Sequence, residues 1–172
     1  MEPSIREQLL TFVREKYGTE PAFSGIREID SLVLRHTDTQ KVYATISMVE
    51  RARLGLYGEG QAEILSIRPD SLLLRDILLQ KPGFFPGRHA GSGAWVSVLL
   101  DGTVEPEEIR SLLEGSFMAT ASAKTRQALR PPKEWLIPSN PKFYDVVSAF
   151  QQHSEINWKQ GKGIKTGDTV FL

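Results

Sequence analysis

The order of elements written into the sequence predicts an α+β fold: an antiparallel sheet packed against helices, with a short α/β extension at the C-terminal end. Three observations carry that prediction. A strong helix-start signal opens the chain, and several strand-like segments follow it with links too short for parallel crossovers. Helical apolar spacing then returns on both sides of the last of these strands.

Ser4-Ile5-Arg6-Glu7 is a capping box, in which the serine hydroxyl can accept from first-turn amides while the glutamate reaches back. Ile5, Leu9, Phe12 and Val13 continue as an apolar stripe to Tyr17-Gly18, where glycine can close the helix in the left-handed region. Ser31 to His36 and Lys41 to Val49 alternate as two strands around the turn-rich Thr37-Asp38-Thr39-Gln40, which makes an antiparallel hairpin. Ala62 to Ile67 is a third strand, and Arg68-Pro69-Asp70 stops it and is expected to cap a helix running to about Leu79. Trp95 to Leu100 is a fourth strand. After the Asp101-Gly102 turn, Glu105-Pro106 starts a helix with core positions Ile109, Leu112, Leu113 and Phe117.

Charge divides the chain. Up to Ala123 there are 13 Lys and Arg against 17 Asp and Glu, whereas from Lys124 onward there are 8 against 4. A boundary is expected where composition also changes: residues 1–123 form one domain, 124–133 a basic linker with an extended Arg130-Pro131-Pro132, and 134–172 a second unit. In that unit Glu134 to Pro138 reads as a strand, Ser139-Asn140-Pro141 as the cap of a helix through Phe150, and Thr169 to Leu172 as a strand with no visible partner after it. So small a unit cannot easily bury its own core, and is expected to pack on the first domain, to dimerise or to be missing something.

The same composition excludes several chemistries. With no cysteine there is no disulfide and no thiolate nucleophile, and no apolar run reaches the length of a membrane span, so a cytoplasmic protein is expected. Gly55-Leu56-Tyr57-Gly58-Glu59-Gly60 carries its glycines in the reverse order of the dinucleotide fingerprint and precedes a strand, which makes it a turn. His36, His89 and His153 lack metal-ligand spacing, and Gly91-Ser92-Gly93 is not at a strand-to-helix elbow. Glu107-Glu108 falls in a first helical turn, where it complements the macrodipole. No catalytic residues, metal or cofactor are expected, and the chain reads as a non-enzyme.

Two regions have the chemistry to bind. The loop Pro82-Gly83-Phe84-Phe85-Pro86-Gly87-Arg88-His89 could touch phosphate or stack on a base; equally it could be a rigid turn with Phe84 and Trp95 in the core. The second unit offers aromatic faces, amides and lysines, the ingredients of base recognition, which would also make a small aromatic core with a basic rim.

Leu54 to Gly60, Lys81 to His89, Trp95 to Gly102 and Ser116-Phe117 together resemble the MmcQ/YjbR family of small bacterial proteins, over about two thirds of the chain. That resemblance implies a frataxin-like (CyaY-like) α/β sandwich and a DNA-binding role. It places Arg88 and His89 in the family's binding loop, although Arg88 stands where an aromatic residue is usual and Ala90, Gly91 and Ser92 replace the usual Asn-Lys element. The tail, from Trp135 through Tyr144-Asp145 to Trp158-Lys159-Gln160 and Val170, is similar to the beginning of EVE domains, PUA-like barrels associated with modified or single-stranded nucleic acid. Its terminal strand then looks like an early barrel strand apart from its neighbours, with an edge open to another chain.

The expectation is a protein that binds DNA or single-stranded nucleic acid through Arg88, His89, Lys142, Tyr144, Trp158, Lys159, Gln160, Lys162 and Lys165. Lysines would contact phosphate, and Trp158 and Tyr144 would stack on bases. The alternative is a structural protein whose C-terminal segment docks on a protein partner or a second copy through its strand edge.

Overall fold

The computed structural model describes residues 3–24, 31–87, 93–136, 142, 145–155 and 163–171. The chain divides into two compact units, Met1–Ser122 and Ala123–Leu172.

In the first unit, helix α1 (Ile5–Tyr17) begins with the capping box: the Ser4 hydroxyl accepts from the Glu7 amide at 3.2 Å, and the Ser4 amide donates to Glu7 Oε2 at 2.8 Å. Gly18 closes it with φ 63°. Strands β1 (Ala22–Phe23), β2 (Ser31–Arg35), β3 (Val42–Glu50) and β4 (Gln61–Ile67) follow, then α2 (Leu72–Leu78), β5 (Phe84–Pro86), β6 (Val96–Leu99) and α3 (Pro106–Thr120). The six strands form one antiparallel sheet in the order β1-β2-β3-β4-β6-β5. This is the α+β arrangement of sheet and helices that the sequence predicts.

Register explains where the core sits. Leu32, Ile46, Leu65, Val98 and Phe84 stand side by side across five strands, and all are buried. Because alternate residues share a sheet face, Leu34, Ala44, Ile67 and Val96 join the same layer. Leu9 and Val13 of α1 and Ile109, Leu113 and Phe117 of α3 complete it as a single cluster. One residue along, the opposite face carries the hydroxyls Thr45, Ser66 and Ser97 in register, with Ser66 and Ser97 in contact at 2.8 Å.

Three local expectations change in this unit. The N-cap of α2 is Ser71, not Asp70: its hydroxyl accepts from the Leu74 amide at 3.2 Å, one residue beyond the Arg68-Pro69-Asp70 stop. The loop after α2 contains strand β5, too short for a periodicity signal, which exists because it pairs with β6. The two-residue β1 is another edge element of that kind.

The second unit contains α4 (Ala123–Leu129), β7 (Glu134–Leu136), α5 (Val146–Gln152) and β8 (Thr169–Phe171). The stretch expected to be a linker is therefore helical as far as Leu129. Pro131 and Pro132 follow that helix and bound it, since proline disfavours helix in the residue before it. Helix α5 is capped by Asp145, whose carboxylate accepts from the Ser148 amide at 3.1 Å. The cap expected at Ser139-Asn140-Pro141 lies outside the described residues. The terminal strand does have a partner, upstream: β8 pairs with β7 in parallel, Trp135 opposite Val170 and Leu136 opposite Phe171.

Candidate functional site

Strands of three residues cannot hold a sheet on their own, and the fixture that holds this one is a carboxylate. Asp168 follows the Gly163-to-Gly167 turn, and its side chain has no solvent exposure. Arg130 grips it with both terminal nitrogens, Nη1 on Oδ1 at 2.8 Å and Nη2 on Oδ2 at 2.5 Å. The Lys133 amide donates to Oδ1 at 2.9 Å, and the Trp135 indole N–H and the Lys165 amide donate to Oδ2, both at 2.9 Å. Five N–H groups thus converge on two oxygens, and the Arg130 hydrogen bonds foremost hold the Asp168 carboxyl far below the usual carboxylate range.

The surroundings lock the same geometry. The Gly163 carbonyl accepts from Arg130 Nη2 at 2.7 Å and from the Gln127 side chain at 2.6 Å, which ties the turn to α4. Gly163 sits at φ 98°, and a Cβ there would lie 3.5 Å from the Trp135 ring. The Arg130 guanidinium lies 5.9 Å from that ring's centroid, so the indole is held by a cation, a carboxylate and a glycine turn.

Of the nine residues expected to bind nucleic acid, Arg88, His89, Tyr144, Trp158, Lys159, Gln160 and Lys162 lie outside the described residues. Lys142 is an exposed turn residue. Lys165 is turned inward: its ammonium donates to the Ala128 carbonyl at 2.8 Å and to the Arg130 carbonyl, where it satisfies the last carbonyls of α4. The structure does not bring Lys142 and Lys165 into a shared contact.

Three other cations stand out. Lys124, Arg126 and Lys133 are exposed and have no carboxylate partner among the described residues. In the first unit Arg6, Arg14, Lys16, Arg53, Lys81 and Arg110 each pair with a glutamate at 2.6 to 3.3 Å, while Arg35, Lys41 and Arg68 are exposed with no carboxylate partner among the described residues. The basic excess of the second half of the sequence contains this signal, but no local pattern marks which of its cations stand on α4.

The aromatic loop of the first unit resolves toward packing. Phe84 is buried, while Phe85 and Trp95 are half-buried on the β5–β6 edge. Gly87 lies so close to Trp95 that a Cβ would meet its backbone at 2.5 Å. Nearby, a cleft of about 440 Å³ separates α2 from α3, lined by Leu74, Ile77, Leu78 and Leu112 with Lys81 and Glu108 at its rim. Among the described residues no three His, Asp or Glu side chains converge as a metal site would require. No described helix is long and apolar enough to cross a membrane.

No family model matches the chain. It is 35% identical to the uncharacterised protein YyaQ of Bacillus subtilis over 117 residues, which is 67% of this chain and 97% of that protein. A crystal structure of a Pseudomonas syringae protein is similar at 31% identity with a TM-score of 0.62, over 67% of this chain and 98% of that one. A solution structure from the same organism gives 30% identity and 0.60, over 69% of this chain and 94% of that one. A Deinococcus radiodurans protein with a DUF419 domain shares the fold at 22% identity and a TM-score of 0.53, over 72% of this chain and 86% of that one.

Proposed function

The chain belongs to the family of the uncharacterised Bacillus subtilis protein YyaQ, and on that premise we propose that it is a non-enzymatic cytoplasmic protein that binds nucleic acid through its second unit. The observation that carries this reading is the basic excess of the second unit together with where its cations stand: 8 Lys and Arg face 4 Asp and Glu from Lys124 onward, and Lys124, Arg126 and Lys133 are exposed with no carboxylate partner among the described residues. Such cations release counterions when they meet phosphate, which makes association favourable and salt-dependent. In this reading the first unit is the scaffold that resembles MmcQ/YjbR proteins and the second an EVE-like segment, with Lys142 and the tail residues beyond the described ones extending the contact.

The test is a titration of the whole chain with short single-stranded and duplex oligonucleotides at about 50 and 200 mM salt, following tryptophan fluorescence. Affinity that falls with salt, with the log–log slope reduced by about one unit for each of Lys124→Ala, Arg126→Ala and Lys133→Ala, supports the reading. Slopes that none of the three changes would refute it.

A second reading rests on a different observation. Leu136, Val147, Phe150, Val170 and Phe171 are all at least 40% exposed, and no described apolar residue of Ala123–Leu172 is fully buried. An apolar surface of this kind on a small unit suits a protein partner or a second copy paired at the β8 edge. Association that depends on protein concentration but not on salt would favour it.

A further inference from the structure

The β2–β3 turn reaches across the first unit and holds the far end of α3 at two points. His36 closes the turn, its amide donating to the Lys41 carbonyl and its carbonyl accepting from the Gln40 amide, both at 2.9 Å. Its ring is 1% exposed, 4.4 Å from Phe117 and 5.1 Å from Tyr43 between centroids. His36 Nε2 meets the Thr120 hydroxyl at 2.8 Å. That hydroxyl already donates to the Ser116 carbonyl at 2.8 Å, so it accepts from His36, and Nε2 carries the proton. Nδ1 is then the unprotonated nitrogen, buried and without a partner among the described residues. Two residues further along the turn, Asp38 accepts from the Ser122 hydroxyl at 2.7 Å.

We propose that the β2–β3 turn is a proton-operated clasp: neutral His36 holds Thr120, and a second proton on the ring ejects it and frees the last turn of α3. The reasoning is one of unmatched groups. A proton on Nδ1 would bring a full charge into a box made by Phe117 and Tyr43, at a nitrogen that has no hydrogen-bond partner among the described residues. Swung outward, the same imidazolium would enter water beside Asp38, which favours the charge, with Lys41 opposing it. Tyr17, stacked on Phe117 at 3.7 Å, and Tyr43 keep their hydroxyls neutral and offer no counter-charge. Burial holds the imidazole below its ordinary value in the closed state. Opening therefore takes up a proton, and the closed state loses ground as pH falls below about 6.5, the ordinary histidine value.

The clasp would act locally, at the end of α3 that leads out of the first unit at Ser122. Amide hydrogen exchange of the full chain, read by mass spectrometry at about pH 7.5 and about pH 5 and corrected for intrinsic rates, tests it. Protection of Phe117 to Ser122 should fall about tenfold at the lower pH while α1 and β4 keep theirs. His36→Gln, which retains a donor for Thr120 but does not titrate, should remove the acid response. Ser122→Ala, which deletes the second hold, should move the response to higher pH. Unchanged protection at the α3 end, an equal loss across the whole unit, or an acid response that survives in His36→Gln would each overturn the clasp.

Discussion

Adding one methyl group at Gly87 tests whether this glycine serves packing or binding. A Cβ there would lie 2.5 Å from both the carbonyl carbon and the Cβ of Trp95, and 2.7 Å from its oxygen. Ordinary carbon contacts are about 3.5 to 4 Å, so β5 would have to retreat from β6 by about an ångström. None of the opposing atoms is a flexible tip that could yield instead. Overpacking of this kind costs about 1 to 3 kcal/mol. The retreat would also stretch the Gly87 amide bond to the Trp95 carbonyl, now 2.9 Å, at up to about 1 kcal/mol more. Gly87→Ala should therefore destabilise the first unit by about 2 to 4 kcal/mol, a fall in Tm of about 8 to 16 °C for a domain of this size. Thermal unfolding followed by near-UV circular dichroism measures it, with Gly93→Ala as the control, because a Cβ at Gly93 meets nothing within 4 Å. If the two variants melt together, or Gly87→Ala melts with the parent, the close approach of the edge strand is not what requires glycine.

Ser116 is fully buried, donates to the Tyr43 carbonyl at 2.5 Å and accepts from the Arg68 amide at 2.9 Å, so Ser116→Ala strands two backbone groups. We expect a loss of about 1 to 3 kcal/mol in urea unfolding; a change below half a unit would mean that the groups find other partners. Asp168→Asn should accelerate exchange at the Lys133 and Lys165 amides and leave β3 and β4 untouched, and protection retained at both amides would refute the assigned role of the carboxylate. Acid should affect the two units differently, as linkage dictates. The folded-state value of Asp168 is depressed, so its contribution is complete above the ordinary aspartate value of 3.8 and is lost only as pH falls toward the folded one. Between pH 7 and 5 the second unit should therefore hold while the end of α3 loosens, as exchange resolved by segment would show. Lys16→Ala, by contrast, removes an exposed pair with Glu114 and should cost less than about 1 kcal/mol.

Legibility followed the range of the interactions. The capping box at Ser4 and Glu7, the hairpin around Thr37 to Gln40 and the stripe of α3 are written within a few residues, and all three are present in the structure. Strand β5 is three residues long and includes a proline; only its partner makes it a strand. Helix α4 was hidden by its composition, because residues 124–129 are basic and short of large apolar side chains and so read as the start of a linker. The meeting of Arg130 and Asp168 spans 38 positions, and no local pattern announces it. For the same reason Lys165 could be read as a phosphate ligand when its ammonium is spent on the carbonyls of α4. What the sequence did hold was the imbalance itself: one aspartate among the lysines and glycines of the tail, a hint that some of its basic partners are internal.

That long-range pairing also orders the birth of the molecule. On a ribosome the first unit has every strand and helix it needs once Ser122 has emerged, and its antiparallel neighbours can zip together in turn. The sheet of the second unit cannot form step by step, because β7 has to wait for β8. Arg130, Lys133 and Trp135 emerge early with their donors unmatched, and the carboxylate that gathers them is not made until residue 168. Until then the growing chain carries a finished domain trailed by a basic, unclosed segment, free to be captured by whatever anion or chaperone reaches it first.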